Sequence, residues 1–164
     1  NLVESFMEGG FSERTTLSTV NSIMGMKFDD DEKFTTLDMN YIDLYSGETT
    51  FLKVGGVASF IKRGKEIEVI SNPTLPFGIV DSIDINKIKR KLTSGDIIVT
   101  ISDGILDVDK NNIGDATWIK EYLSQATINP QELSKAILEK AKNLSGDKVM
   151  DDMTVVVSKI YASY

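Results

Sequence analysis

Apolar residues along this chain change period twice, and those changes decide its fold class. From Leu2 to Met26, the residues Leu2, Val3, Phe6 and Met7, then Leu17, Val20, Ile23 and Met24, recur at helical spacing on either side of Gly9-Gly10. The spacing predicts two helices joined by a glycine turn, with Ser12 as the N-cap of the second, although no Glu three places later completes a capping box. Beyond Phe34 the period falls to two, with Thr, Tyr, Val and Ile enriched and turn residues at short intervals, the pattern of antiparallel strands. Phe34 to Tyr45 reads as a strand, Ser46-Gly47-Glu48 as a hairpin turn and Thr49 to Val54 as its return. Ala58 to Lys62 and Glu66 to Ser71 flank Arg63-Gly64-Lys65 as a second hairpin. The alternation of Leu37, Met39 and Tyr41 moves to Ile42 and Leu44, which predicts either a bulge or burial on both faces.

Ile83 to Leu92 fits a strand or a helix, and the strand is preferred. Thr93-Ser94-Gly95-Asp96 then turns the chain into a buried strand, Ile97 to Ile101. Helical spacing returns with Trp118, Ile119, Tyr122 and Leu123. A further helix begins at Asn129-Pro130, where Glu132 closes an Asn-x-x-Glu box, and its apolar face is Leu133, Ile137 and Leu138 with Ala136 and Ala141. Met153 to Tyr161 is a last strand. The expected fold class is α+β: one domain over 1–164, helical at 1–26 and β-rich from 34 onward with two late helices.

The chain contains no cysteine and no histidine. That excludes thiolate nucleophiles, Cys or His zinc sites, Ser-His-Asp triads, His phosphorelay and disulfides. Any chemistry must use oxygen ligands, Lys or Arg. A net charge of −7 disfavours nucleic acid as a partner and suits cations. Apolar runs such as Ile97-Ile98-Val99 fall far short of the roughly 20 residues of a membrane helix, so no membrane contact is expected of this segment. The opening Asn1-Leu2-Val3-Glu4 has neither a charged nor an apolar leader pattern, and the chain reads as a piece of something longer.

Two acidic positions sit where strand meets loop. Ser102-Asp103-Gly104 ends one strand and Asp151-Asp152-Met153-Thr154 opens another; if those strands pair antiparallel, three carboxylates share one edge of the sheet. Clustered like charges need protons, cationic partners or a metal, and an oxygen-only donor set favours magnesium or manganese. Each position also has a plain reading: Asp-Gly is a common turn, and Asp pairs occupy solvated loops or satisfy backbone donors at a strand start. Their joint occurrence on neighbouring strand ends is what singles them out. Asp107-Val108-Asp109-Lys110-Asn111 fails as a calcium loop, because Asn112 stands where the glycine should be and Trp118 where the bidentate Glu should be. The Asp29 to Glu32 run reads as a solvated loop, the Lys62, Arg63 and Lys65 cluster as a solvated tip, and Trp118 as core. Neither Gly55-Gly56 nor Arg63-Gly64-Lys65 opens a helix as a phosphate loop must.

In order along the chain, Thr36-Leu37-Asp38, Ile42-Asp43-Leu44-Tyr45, Val54-Gly55, Ser59-Phe60-Ile61-Lys62-Arg63-Gly64, Leu75-Pro76-Phe77-Gly78-Ile79, Ser94-Gly95-Asp96-Ile97, Ser102-Asp103-Gly104-Ile105 and Asp151-Asp152-Met153-Thr154-Val155-Val156-Val157 resemble the phosphatase domain of the stage II sporulation protein E family. That family belongs to the metal-dependent PP2C-type serine/threonine phosphatases, and the resemblance runs from about Leu2 to Ile160. It implies a PP2C-like α-β-β-α sandwich holding two manganese (Mn2+) or magnesium ions at one edge, with Asp103 and Asp151 as metal ligands and Asp152 as a secondary candidate. The family's earlier Asp-Gly motif has no match here. The resemblance therefore implies that the first strands and bridging ligands lie outside this chain, which alone should be inactive or nearly so. It further implies a phosphorylated anti-anti-sigma factor as substrate, sporulation sigma-factor activation as outcome, and a homodimer through the N-terminal helices acting as a regulatory element. A cytoplasmic location, with a membrane anchor elsewhere in the full-length protein, completes those expectations. The alternative is a non-catalytic interaction module or pseudophosphatase that binds partners through the same helices.

Overall fold

The computed structural model describes residues 2–26, 34–83, 85, 87–108, 116–127, 129–146 and 151–161. The Asp29 to Glu32 run and Asp109-Lys110-Asn111 lie outside the described residues. Helices α1 (Leu2–Glu8) and α2 (Glu13–Met26) flank the Gly9-Gly10 turn as the spacing predicts. Ser12 caps α2, its hydroxyl accepting the Thr15 amide at 3.2 Å. Five strands follow: β1 (Leu37–Ile42), β2 (Glu48–Val54), β3 (Ser59–Arg63), β4 (Glu66–Ile70) and β5 (Lys87–Lys91). Then come β6 (Ile97–Ile101), α3 (Asp103–Leu106), α4 (Thr117–Gln125), α5 (Pro130–Ser145) and β7 (Val155–Lys159). The ambiguous segment before Leu92 is thus a strand, and Asn129 caps α5 through the amides of Gln131 and Glu132.

The strands form two antiparallel sheets, β1-β2-β5 and β4-β3-β6-β7. Side-chain alternation sorts their faces into layers. Leu52 and Val54 of β2 pack with Leu17 and Val20 of α2, while Phe51, on the opposite face, packs with Ile61 and Ile98 of the second sheet. Phe60, Ile97 and Val99 on the far side of that sheet pack with Ile105, Ile119, Leu123, Leu133 and Ile137. The order is therefore helices, sheet, sheet, helices, an α-β-β-α sandwich. Trp118 is packed against this last cluster as expected of a core residue.

Three expectations are corrected. The first strand starts at Leu37 and ends at Ile42, and its register with β2 runs unbroken from Leu37↔Val54 to Ile42↔Thr49. No bulge is present; Leu37 and Met39 face α2 while Ile42 joins the inter-sheet cluster, so burial on two faces explains the shifted pattern. Second, Asp103-Gly104 opens the short helix α3 instead of merely turning. Third, the basic hairpin end is not wholly solvated. Lys62 is 3% exposed, its ammonium donating to the Leu123 carbonyl near the C-terminus of α4 and to Gly64 O, both at 2.7 Å. Arg63, although exposed, forks onto buried Asp96 at 2.9 and 2.6 Å, and Lys65 stands at the exposed tip. Burial alone would raise the Asp96 carboxyl, but Arg63 and the Thr93 amide outweigh it and hold it below the usual range. Among the described residues no helix is long and apolar enough to cross a membrane.

Glu13, in the first turn of α2, ties that helix to the sheet beneath it. It accepts from Tyr41 of β1 at 2.7 Å and pairs with Lys87 of β5 at 3.1 Å. The Tyr41 hydroxyl, then the helix amide and Lys87, lower its carboxyl from 4.5 to about 2. A depressed carboxylate contributes stability above its unfolded pKa and loses it as pH falls through the folded one. Glu13→Gln should therefore remove part of the stability decline between about pH 4.5 and 2, an effect reduced by solvent screening and read as a shallower pH dependence of the urea midpoint.

Candidate metal centre

β6 and β7 pair antiparallel, ending in Ile101↔Val155, so the end of one and the start of the other share a sheet edge. Beyond that pair the Ser102 amide donates to Thr154 O at 3.0 Å. The Ser102 hydroxyl accepts the Thr154 amide at 2.8 Å and donates to Asp152 O at 2.9 Å. Ser102 thus stitches the two acid-bearing turns together, which is why it precedes α3 without capping it. Asp103, Asp151 and Asp152 are all exposed at this edge. The carboxylates of Asp103 and Asp151 each accept the next residue's amide, at 3.0 and 2.7 Å, which orients them.

The buried Gly104 is what lets the turns meet. A Cβ there would lie 2.5 Å from Asp152 O and 3.1 Å from Asp151 O, both backbone atoms. Gly104→Ala should cost about 1–3 kcal/mol by overpacking, measured as a lower urea midpoint, and should push the Asp103 turn away from Asp151. The sequence expectation of carboxylates at one edge is met by the backbone. Among the described residues, however, no group of three acidic side chains is placed to hold an ion between them. Exposed anionic oxygens on two turns in backbone contact fit part of a magnesium or manganese shell, with the remaining ligands to come from water or other groups.

A second polar cluster escaped the sequence reading. Lys53 of β2 stands opposite Asp38 of β1, and its side chain is fully enclosed between the sheets. Its ammonium donates to Asp38 Oδ2 at 2.5 Å, Val57 O at 2.7 Å and Ser59 Oγ at 2.8 Å, and Ser59 donates in turn to Asp38 Oδ2 at 2.6 Å. Asp38 Oδ1 is buried without a hydrogen-bond partner. Burial lowers the Lys53 ammonium's pKa, opposed by Asp38. The available signal was a lysine two places after Phe51, and so on the same face of the strand, within the run Phe51-Leu52-Lys53-Val54.

The family model described as Stage II sporulation protein E (SpoIIE) matches residues 1–161. Stage II sporulation protein E of Bacillus subtilis (strain 168) is 35% identical over 160 residues, covering 97% of this chain, which spans 19% of that protein's length. The structure of the PP2C phosphatase domain and a fragment of the regulatory domain of SpoIIE from Bacillus subtilis superposes with a TM-score of 0.88 at 34% identity, over 99% of this chain and 48% of that one. The manganese-presoaked phosphatase domain of the same protein gives a TM-score of 0.75 at 32% identity, over 99% and 73%.

Proposed function

The chain belongs to the stage II sporulation protein E family, and from that premise we propose that it is part of a metal-dependent PP2C-type serine/threonine protein phosphatase in which Asp103 and Asp151, with Asp152 as a secondary candidate, ligate two manganese or magnesium ions. The observation that carries this reading is the backbone contact between the Asp103-Gly104 and Asp151-Asp152 turns. Such ions would supply an activated water at neutral pH and offset charge on the phosphoryl oxygens. The chain's own part is to hold the carboxylates: α3 and the Ser102 stitch set Asp103, and the start of β7 sets Asp151 and Asp152. Without Cys or His, a direct attack of water suits the residues better than a thiolate or histidine intermediate.

Two or three carboxylates leave much of two coordination shells to water and to groups outside the described residues. Because the family's earlier Asp-Gly motif has no match in this sequence, this chain by itself should be inactive or nearly so. The proposed substrate is a phosphoserine anti-anti-sigma factor, whose dephosphorylation activates a sporulation sigma factor, supported by family membership. Self-association through α1 and α2 is supported by the exposure of Leu2 on α1, Met26 on α2 and Phe11 in the turn between them, and a cytoplasmic site of action goes with that substrate. The second reading, a non-catalytic interaction module, is favoured by the lack of a three-acid group among the described residues.

Manganese-dependent phosphate release from the phosphoserine anti-anti-sigma protein tests both, comparing this chain with one extended upstream. Activity only in the extended form supports the phosphatase; no activity in either, with folding confirmed, favours the interaction module.

A further inference from the structure

An ammonium fully enclosed between two sheets is costly unless every donor is used, and Lys53 uses all three. The bond to Val57 O is the informative one. Residues 55–58 carry the chain out of the β1-β2-β5 sheet into β3, and Val57 and Ala58 pack against the cluster that contains Ile101 and Ile105. Met153 packs against the same cluster. Ile105 lies two residues after Asp103, and Met153 directly follows Asp152. Because β3 and β6 are antiparallel, with Phe60 opposite Val99, β3 enters its sheet beside the point where β6 leaves it for Asp103.

We propose that Lys53, held by Asp38 and Ser59, is a positioning residue for the metal edge: it fixes Val57 and Ala58 against the Ile101, Ile105 and Met153 packing and thereby sets the spacing of Asp103 from Asp151. The inference rests on the metal-centre reading given above. Groups that orient metal ligands from behind typically change metal affinity by about 10- to 100-fold when removed. Lys53 acts one step further back, through packing.

The test is Mn2+ binding by the full-length protein, followed by the electron paramagnetic resonance signal of the free ion. Two variants are compared with the wild type. Asp38→Leu with Lys53→Met removes both buried charges and replaces them with apolar groups of similar size, a change that buried ion pairs often tolerate. Val57→Ala leaves the ion pair intact and loosens only the packing it secures. The expected result is Mn2+ binding weakened about 10-fold in the double variant and several-fold in Val57→Ala, with metal-free melting of the folded variants close to wild type. If the double variant does not fold, Val57→Ala carries the test. Undiminished Mn2+ binding in a folded variant overturns the inference alone. A wild-type protein that binds no Mn2+ removes the metal-centre reading, and this inference with it.

Discussion

Asp103→Asn should reduce manganese-dependent phosphate release by the upstream-extended protein more than about 100-fold, since even partners that merely orient metal ligands cost about 10- to 100-fold. Folding should be unaffected. Asp103 is exposed, and its carboxylate accepts the amide of Gly104 at 3.0 Å, a bond that an asparagine oxygen accepts equally well. Surface changes of this kind usually fall within about 0.5 kcal/mol. Turnover and the urea midpoint measured on the same preparation separate the two roles. Unchanged turnover in the extended protein would refute the assignment of Asp103 as a ligand.

Asp38→Ala should produce the largest loss of stability of any change considered. It strips the counter-charge from an enclosed ammonium, and breaking a buried pair from one side costs about 3–5 kcal/mol, against a total of about 5–15 kcal/mol for a domain. The loss has a pH signature. Burial lowers Lys53 from its ordinary 10.5, so between the folded and unfolded values the unfolded chain holds more protons and stability rises with pH. Without Asp38 to oppose it, that lowering should deepen, and the deficit of the variant should shrink as pH approaches 10.5. Urea midpoints near neutrality and in that alkaline range check it. A deficit constant with pH would mean that Asp38 contributes packing and hydrogen bonds without its charge mattering.

Much of this architecture is readable in the sequence because local and tertiary preferences agree. Ser12 and Asn129 cap where their side chains predict, and the alternation in β2, β3 and β6 matches the layers that bury them. The edge shared by Asp103 and Asp151 follows from one assumption, that β6 and β7 pair antiparallel, and they do. Legibility stops where a polar side chain is satisfied by something distant in sequence. Lys62 looks like a hairpin cation until Leu123, 61 residues away, offers it a carbonyl. Lys53 looks like an exposed strand residue until both faces of its sheet are covered, and only the cross-strand register then reveals Asp38 as its partner. The turn-to-turn contact at Gly104 is illegible for the same reason, because its crowding neighbour is the backbone of residues about fifty places away.

The path of the chain through the two sheets has a consequence for biosynthesis. β1 and β2 belong to one sheet, β3 and β4 to the other, β5 returns to the first, and β6 and β7 finish the second. A polypeptide emerging from the ribosome therefore cannot complete either sheet in a single local step, and such interleaved pairing folds slowly. Among the described residues β7 at Val155–Lys159 is the last strand in chain order, and the aspartates that precede it meet Asp103 only when it docks beside β6. Nascent or prematurely terminated chains lacking β7 carry Asp103 without its counterpart, so the proposed metal edge forms only once β7 has docked.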